Sequence, residues 1–425
     1  MTSLKCTFFK SKNHFVNDTI SLIGVRVKFL FSSIFKWLDK NNRAVLKMEQ
    51  RWMVLTLAFF MAFSYFFALQ SYPPMIPQVM EEFDLPHVNA SLPMSLVSLA
   101  GIFLALPTWA FIFRWGLKKI GALGLVICSI GGMISSLGSS FLLIVLGRVI
   151  LGIGGVLIIV VSFSIVANWF TKEEGGRAMG IKGLDLPIAT ILALNLLPIV
   201  ITIHGWRASF TVSTVLLIIS TAFFIFLFRE KPLRESGTKM FEGIWNKQMW
   251  LLGITWSFVT ISIVAYSTWA GTFFIELWKI PVNVAFFMAS ILMIGMILLS
   301  APIGYLSDRL GKRKIFLIFS FLLMGISLIL IPILPGSFLY LAIALLAISG
   351  FSAPIIHALT PEILPRERAG LGFGILFTCS FIGTFIGPIL VGFVKDLFPG
   401  GGPAFFTMGA FPLLSLICTK FLKVR

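Results

Sequence analysis

Three ionisable side chains lie inside stretches that are otherwise apolar. Lys182 and Asp185 fall three residues apart in one of them, and Arg148 lies within another. If the first stretch is helical, the three-residue spacing puts Lys182 and Asp185 on one face. There each lowers the burial cost of the other. Such a pair suits a structural or gating ion pair, uptake of a proton or cation by Asp185, or recognition of an anion by Lys182. Arg148 needs water, an ionic partner, backbone carbonyls or lipid headgroups, because a buried guanidinium is costly without them. A second kind of chemistry sits in the loop GYLSDRLGKRK, Gly304 to Lys314. Its one acid, Asp308, is set among Arg309, Lys312, Arg313 and Lys314, between two long apolar runs. A carboxylate at a helix end can bind the amino end of a facing helix and favour its dipole.

The elements that position these groups are membrane-length helices. The 425 residues are 58% hydrophobic and 12% charged, with a mean hydropathy of +0.98. Soluble domains carry about twice that share of charge. Twelve apolar spans are predicted at roughly 52–73, 91–113, 120–138, 141–168, 178–201, 208–228, 250–275, 283–306, 315–334, 337–359, 370–394 and 403–421. The fold class is therefore an all-α integral membrane protein with 12 transmembrane helices. The longest internal connection, 229–249, follows the sixth span.

A formal charge of +17 would point to nucleic acid in a soluble protein. Here the cations lie in short loops, so the reading is membrane orientation and contact with anionic lipid, not nucleic acid. Of the 34 Lys and Arg, only Arg207, Lys279 and Lys395 fall in loops on one face. Arg148 and Lys182 fall within spans, and all the others lie on the opposite face. The positive-inside rule then puts both termini in the cytoplasm. Residues 1–47 form a basic extension. Within it, Ile20 to Leu38 has the pattern of an amphipathic helix on the inner leaflet, and a disordered tail or a true start at Met48 are the alternatives.

The chain also repeats itself. Arg114 to Lys119 follows the second span as Arg309 to Lys314 follows the eighth. Arg177-Ala178-Met179-Gly180 follows the fourth as Arg368-Ala369-Gly370-Leu371-Gly372 follows the tenth. Both intervals are nearly the same, which is a six-helix period. The expected organisation is a bundle at 48–228, a cytoplasmic linker at 229–249 and a second bundle at 250–425.

The spacing of Gly304, Asp308, Arg309, Gly311, Arg313 and Lys314 resembles motif A of the major facilitator superfamily. Arg148 with Gly152, Gly154 and Gly155 resembles its motif B, although Leu151 replaces a residue that is often polar. The resemblance covers about 48–421. It implies two pseudo-symmetric six-helix bundles that rock about a midplane site, with spans 1, 4, 7 and 10 lining the cavity. It links Arg148 to proton coupling or substrate and Asp308 to a latch against the start of span 5. Asp308→Asn is then expected to stay in the membrane and to impair transport. The first-half copy has lost the acid, with Phe113 at the place of Asp308 and Trp109 at that of Gly304, so its loop lacks that acid-mediated contact. Gly383, Gly387 and Pro388 in span 11 permit close helix approach and a bend. The antiporter signature of span 5 is absent from Gly183 to Pro187.

The remaining cavity candidates are Tyr65 and Gln70 in span 1, Asn195 in span 5, and Trp256, Tyr266 and Trp269 in span 7. His357, near the inner end of span 10, is read as a satisfied packing histidine, with titration near neutral pH as the alternative. Cys6, Cys128, Cys379 and Cys418 have no metal or redox spacing, and His14, His87, His204 and His357 are scattered singly. No metal and no cofactor are expected. A nucleotide-binding loop, a nucleophile elbow and a zinc-protease helix are all missing, so the chain is not read as an enzyme. The expectation is a monomeric plasma-membrane secondary transporter of a small solute, driven by the solute gradient or by co-moving protons or ions; a small organic anion meeting Arg148, or a weakly polar organic molecule, fits the sparse charge best. Two rivals are a proton-coupled exporter of lipophilic compounds and a non-transporting receptor on the same fold.

Overall fold

An apolar segment in a bilayer has no water to bond its amide groups, and a helix is how one segment satisfies them alone. The computed structural model does this twelve times. It describes residues 50–170, 172–231, 243–336, 338–364 and 369–423. The extension 1–47, linker residues 232–242, Arg368 and the side chain of Asp308 lie outside the described residues. So, therefore, do the amphipathic helix and the Asp308 latch. Met1–Met53 and Val54–Arg425 separate as two compact units. Of the first, the described part is the opening turn of span 1.

The spans are Gln50–Phe83, His87–Trp115, Leu117–Ser136, Phe141–Trp169, Glu174–His204, Arg207–Leu227, Lys247–Trp278, Val282–Ser307, Arg313–Leu330, Phe338–Thr360, Leu371–Leu397 and Gly402–Phe421. We number them spans 1 to 12. Most run a few residues beyond the sequence-based limits. Span 1 exceeds them most, reaching Phe83 where an end near residue 73 is expected. The reason is local: Pro73 and Pro74 open a short turn that feeds a new helix, Ile76–Phe83. Proline in a first helical turn loses no intrahelical hydrogen bond.

Spans 1–6 and 7–12 form the two bundles. In the first, span 3 packs along spans 4 and 6. In the second, span 7 packs along spans 11 and 12, and span 9 along spans 10 and 12. The bundles meet where span 2 lies on span 11 and span 5 lies on span 8. A shift of six spans turns one of these pairings into the other, so the repeat in the sequence is also a repeat in the interface. Small residues make the closest approaches. At Gly152, Gly154 and Gly155 any side chain would run into the Val97 carbonyl, the backbone near Gly124 and Cys128, and the Tyr65 ring, respectively. Gly383 and Gly387 lie as close to the Ser257 and Ile261 carbonyls of span 7.

The two ends of the molecule differ in charge. One carries Arg114, Lys118, Lys119, Arg309, Lys312, Arg313 and Lys314. The other carries Glu81, Glu82, Asp84, Glu276 and Asp396. We call these the basic face and the acid-rich face.

Candidate functional site

Span 5 is not one helix. Its first piece ends at Lys182 and its second begins at Asp185. Between them the chain tightens, with the Gly183 amide donating to the Met179 carbonyl and the Leu184 amide to the Ile181 carbonyl. The break sits about eight residues from the basic end, or about 12 Å at 1.5 Å per residue. Broken helices inside a membrane are tolerated where protein or a cavity surrounds them, and they mark ion and solute sites.

The break explains the placing of both charges. Lys182 stands in the last turn of one piece, near the carbonyl end of a dipole. Asp185 stands in the first turn of the next, near the amide end. Each sign suits its helix end. The Asp185 carboxylate accepts from the Leu186 amide at 2.7 Å and meets Lys182 Nζ at 3.0 Å. Both side chains are almost wholly enclosed, 1% and 3% exposed. Asp185 Oδ2 nevertheless lacks an aligned hydrogen bond, so the ammonium faces it as a charge more than as a directed donor.

Span 4 supplies a third member. The Lys182 ammonium lies over the Phe163 ring, 3.4 Å from its centroid, a cation–π contact worth about 2 kcal/mol when water is excluded. Phe163 in turn touches the other bundle. Its ring centroid is 5.1 Å from Phe377, 5.9 Å from Phe373 and 6.2 Å from His357. Trp256 stands edge-on to His357 at 5.8 Å. Phe163, His357, Phe373 and Phe377 are half-buried. Unlike the ion pair, they border accessible space. His357 Nε2 is enclosed and has no hydrogen-bond partner.

Of the residues singled out in the sequence, Lys182, Asp185, Trp256 and His357 come to this place, and the other cavity candidates do not. Arg148 is fully buried 5.7 Å from the Tyr72 ring centroid. Its Nη1 and Nη2 donate to the Ala68 and Leu69 carbonyls at 2.6 Å each, and its Nε donates to the Pro93 carbonyl at 3.2 Å. Ala68 and Leu69 are the last carbonyls of the helix Gln50–Leu69, groups that lack a further helical turn to bond them; Ala68 also accepts from the Ser71 hydroxyl at 2.8 Å. Tyr65 is buried against Gly155. Gln70 donates to Thr190 Oγ1 at 3.3 Å, joining spans 1 and 5. Asn195 donates to Ser290 Oγ at 3.1 Å, joining span 5 to span 8 and so one bundle to the other. Tyr266 donates to the Met288 carbonyl at 3.1 Å, and Trp269 to the Pro388 carbonyl at 2.9 Å.

At the basic face, Gly311 adopts a left-handed φ of 61° between spans 8 and 9. Gly304 has open space around it, and Arg309 is exposed. Arg313 pairs with Glu362 beyond span 10. Lys314 donates to the Lys420 and Leu422 carbonyls at 2.9 Å, closing the end of span 12. In the first half, where the loop has lost its acid, the start of span 3 receives a carboxylate from elsewhere. Glu230, just past span 6, accepts from the Leu117 amide at 2.5 Å and the Lys118 amide at 3.4 Å.

One participant escapes sequence reading. Phe163 is one of 44 phenylalanines, and nothing in its neighbours distinguishes it. His357 is legible as a lone intramembrane histidine, but its surroundings are not. The rings around it come from spans 4, 7 and 11, which no local pattern reveals.

The Major Facilitator Superfamily model matches residues 58–289 and 278–425. The nitrite extrusion protein of Bacillus subtilis is 21% identical over 324 residues, 75% of this chain and 80% of that protein. A probable nitrate transporter NarT of Staphylococcus epidermidis is 24% identical over 365 residues, 83% of this chain and 91% of that protein. The multidrug resistance protein MdtG of Yersinia enterocolitica is 36% identical over 125 residues, 29% of this chain and 30% of that protein. Among solved structures, a bacterial homolog of the human lysosomal transporter Spinster superposes with a TM-score of 0.71 at 17% identity, covering 88% of this chain and 96% of that one. With the repeat, the paired bundles and the family match agreeing over the same residues, the chain belongs to the Major Facilitator Superfamily.

Proposed function

We propose that the chain is a secondary transporter that moves a small monoanion together with a proton, by rocking its two bundles about the break in span 5. The observation that carries this reading is the enclosed Lys182–Asp185 pair, set beneath half-buried rings of the opposite bundle. A buried ion pair is costly to split, because each charge left alone is uncompensated. The cost vanishes if both charges change partner together. An anion takes the place of Asp185 on Lys182 while Asp185 takes a proton. The site then holds the same net charge before and after loading. No other fixed charge of the described spans stands near enough to hold a second anionic group, so one negative charge is the fit. The nitrite extrusion protein and the probable nitrate transporter among the relatives are named for solutes of that class.

In this reading the basic face is cytoplasmic, the protein spans the plasma membrane as a monomer, and the bundles run over 48–228 and 250–425. It needs no resident cofactor. Arg148 then serves as a fixed clamp on span 1, outside the solute path.

Flux into proteoliposomes tests the proposal. Nitrate, nitrite and short monocarboxylates are offered with and without an inward proton gradient. Uptake of at least one, accelerated by the gradient and lost in Lys182→Gln, is the expected result. Gradient-driven movement of lipophilic compounds with no anion flux would favour the second reading, an exporter. The aromatic wall of Phe163, Trp256, Phe373 and Phe377 supports that alternative.

A further inference from the structure

We propose that His87, Asp396 and Glu276 form a proton-responsive latch that holds the acid-rich face shut between the two bundles. The inference rests on the reading of the chain as an alternating-access carrier, and adds the groups that govern one of its two openings.

Asp396 lies in the last turn of span 11 and reaches the first turn of span 2. One oxygen accepts from the His87 amide at 2.9 Å and faces His87 Nδ1 at 2.7 Å. The other accepts from the Val88 amide at 2.8 Å. His87 Nε2 faces the two oxygens of Glu276, in the last turn of span 7, at 3.3 and 3.4 Å. Lys395 Nζ lies 3.4 Å from Glu276, on one of the oxygens that His87 faces, and donates to the Pro399 carbonyl at 2.8 Å. Beneath the imidazole lie the Trp269 ring at 5.4 Å and the Phe273 ring at 6.2 Å. Gly392 brings the span 11 backbone against the His87 carbonyl, where a side chain would not fit. Every one of these contacts except the Lys395 pair joins the first bundle to the second, and all must break if this face opens.

The proton dependence follows from donor counting. Both ring nitrogens face carboxylate oxygens, and an ionised carboxylate only accepts. A neutral imidazole has one N–H and satisfies one of the two. The imidazolium satisfies both. The charged groups around the ring are Asp396, Glu276 and, paired with Glu276, Lys395; Trp269 and Phe273 contribute none. With the ring protonated, two cations face two anions. Without the proton, one carboxylate is left over at the seam. His87, Glu276 and Asp396 side chains are 17%, 34% and 25% exposed, so protons reach the ring without the face opening first. Acid at this face therefore favours closure, and its loss favours opening.

The test reads conformation, not flux, so it survives a mistaken solute. Nitroxides are placed on the full-length protein at Glu81→Cys, at the end of span 1, and Asn283→Cys, at the start of span 8. Both positions are exposed and outside the latch. Cys6 and Cys418 are changed to Ser. Pulsed electron paramagnetic resonance in detergent then gives the distance distribution at pH 5.5 and pH 8. The expected result is a short distance at pH 5.5 and a second, longer population at pH 8, with the ratio of the two changing about tenfold or more, the worth of one charge-assisted hydrogen bond. His87→Gln should show no such response. His87→Lys, which keeps a cation at every pH, should hold the short distance at both. Asp396→Asn should show the longer distance at both. A pH response that persists in His87→Gln, or an Asp396→Asn distribution equal to that of the unmodified protein, would overturn the latch. If the spin-labelled protein stays closed at both pH values while proton-driven anion flux is intact, the latch fails and the transport reading stands.

Discussion

Arg148 and Lys182 are the two large cations buried within the first bundle, and they are buried in opposite ways. The Arg148 guanidinium is held by three backbone carbonyls from spans 1 and 2. Those partners are fixed by the chain and cannot leave. Lys182 is held by a carboxylate three residues away and by the face of one aromatic ring. The carboxylate can be neutralised by a proton, and the ring can turn aside. Burial and charge alone therefore do not say which cation is suited to exchanging partners. What separates them is whether the partners can be exchanged. A planar fork with five donors suits a permanent clamp, and a point charge on a flexible stem suits one that changes hands.

The sharpest way to break this contrast is to remove the clamp. Arg148→Met takes a donor from the Ala68, Leu69 and Pro93 carbonyls in the interior, and Ala68 is left with the Ser71 hydroxyl alone. At about 1 kcal/mol for each lost membrane hydrogen bond, with the cost of unsatisfied groups added, we expect a loss of about 3 kcal/mol or more. The unfolding midpoint of the purified protein in detergent should drop sharply. Arg148→Lys should recover little, since one ammonium cannot reach three carbonyls with the same geometry. An Arg148→Met protein of normal stability and no transport would instead place Arg148 in the solute path.

Lys182→Gln should do the reverse, with a modest effect on stability and a large one on flux. Asp185 left alone can take up a proton, which limits the destabilisation. The anion loses its one cationic partner, and we expect flux to fall about a hundredfold, equivalent to about 2.7 kcal/mol. The double variant Lys182→Met, Asp185→Leu sharpens the point. Replacing a buried pair with apolar side chains is often neutral or stabilising, so its melting temperature should match or exceed that of the unmodified protein while flux stays at or below that of Lys182→Gln. A stable double variant that still transports would remove the pair from the mechanism.

Asp185→Asn isolates the proton. The anion still finds Lys182, so exchange of labelled for unlabelled solute at equal pH should persist. Net uptake in the unmodified protein is expected to rise as the pH on the loading side falls, because each anion enters with a proton on Asp185. In Asp185→Asn this dependence should disappear. A pH profile unchanged by the substitution would assign the proton to another group, with His357 the next to be replaced.

How much of this was legible beforehand follows from the range of each cause. The twelve spans depend on local composition, and they were readable to within a few residues except where Pro73 and Pro74 restart span 1 as a new helix. The six-span repeat was readable because its loops carry charge. The Lys182–Asp185 pair was readable because its partners are three residues apart. The break that separates them was not, although Gly183 lies in it and Pro187 follows it, because a glycine or proline in a membrane helix more often packs than interrupts. The carbonyls that hold Arg148 come from 79 and 80 residues away in one span and 55 in another. Backbone carbonyls carry no mark in a sequence. For the same reason the Glu230 carboxylate at the start of span 3, 113 residues distant, went unseen while the missing acid at Phe113 was plain.

The smallest expected effect falls on Phe163, and it tests whether the partners of Lys182 are exchangeable in the sense argued above. In Phe163→Leu the ammonium loses a ring face worth about 0.5 to 2 kcal/mol but keeps Asp185. If the ring only shields the pair, the vacated face is apolar and still dry, and the solute affinity should change less than twofold. If the ring must turn aside before an anion reaches the ammonium, a smaller and weaker cover should make loading easier. The apparent Kd should then fall about threefold to tenfold, while the unfolding midpoint drops only slightly because Leu fills most of the space. Phe377→Leu is the control. Its ring touches Phe163 at 5.1 Å but belongs to the opposite bundle, so it should alter the rate of bundle movement more than the affinity. Equal effects of the two substitutions on affinity would mean that the rings act together as one wall, and that Lys182 has a fixed aromatic partner as Arg148 has fixed carbonyls.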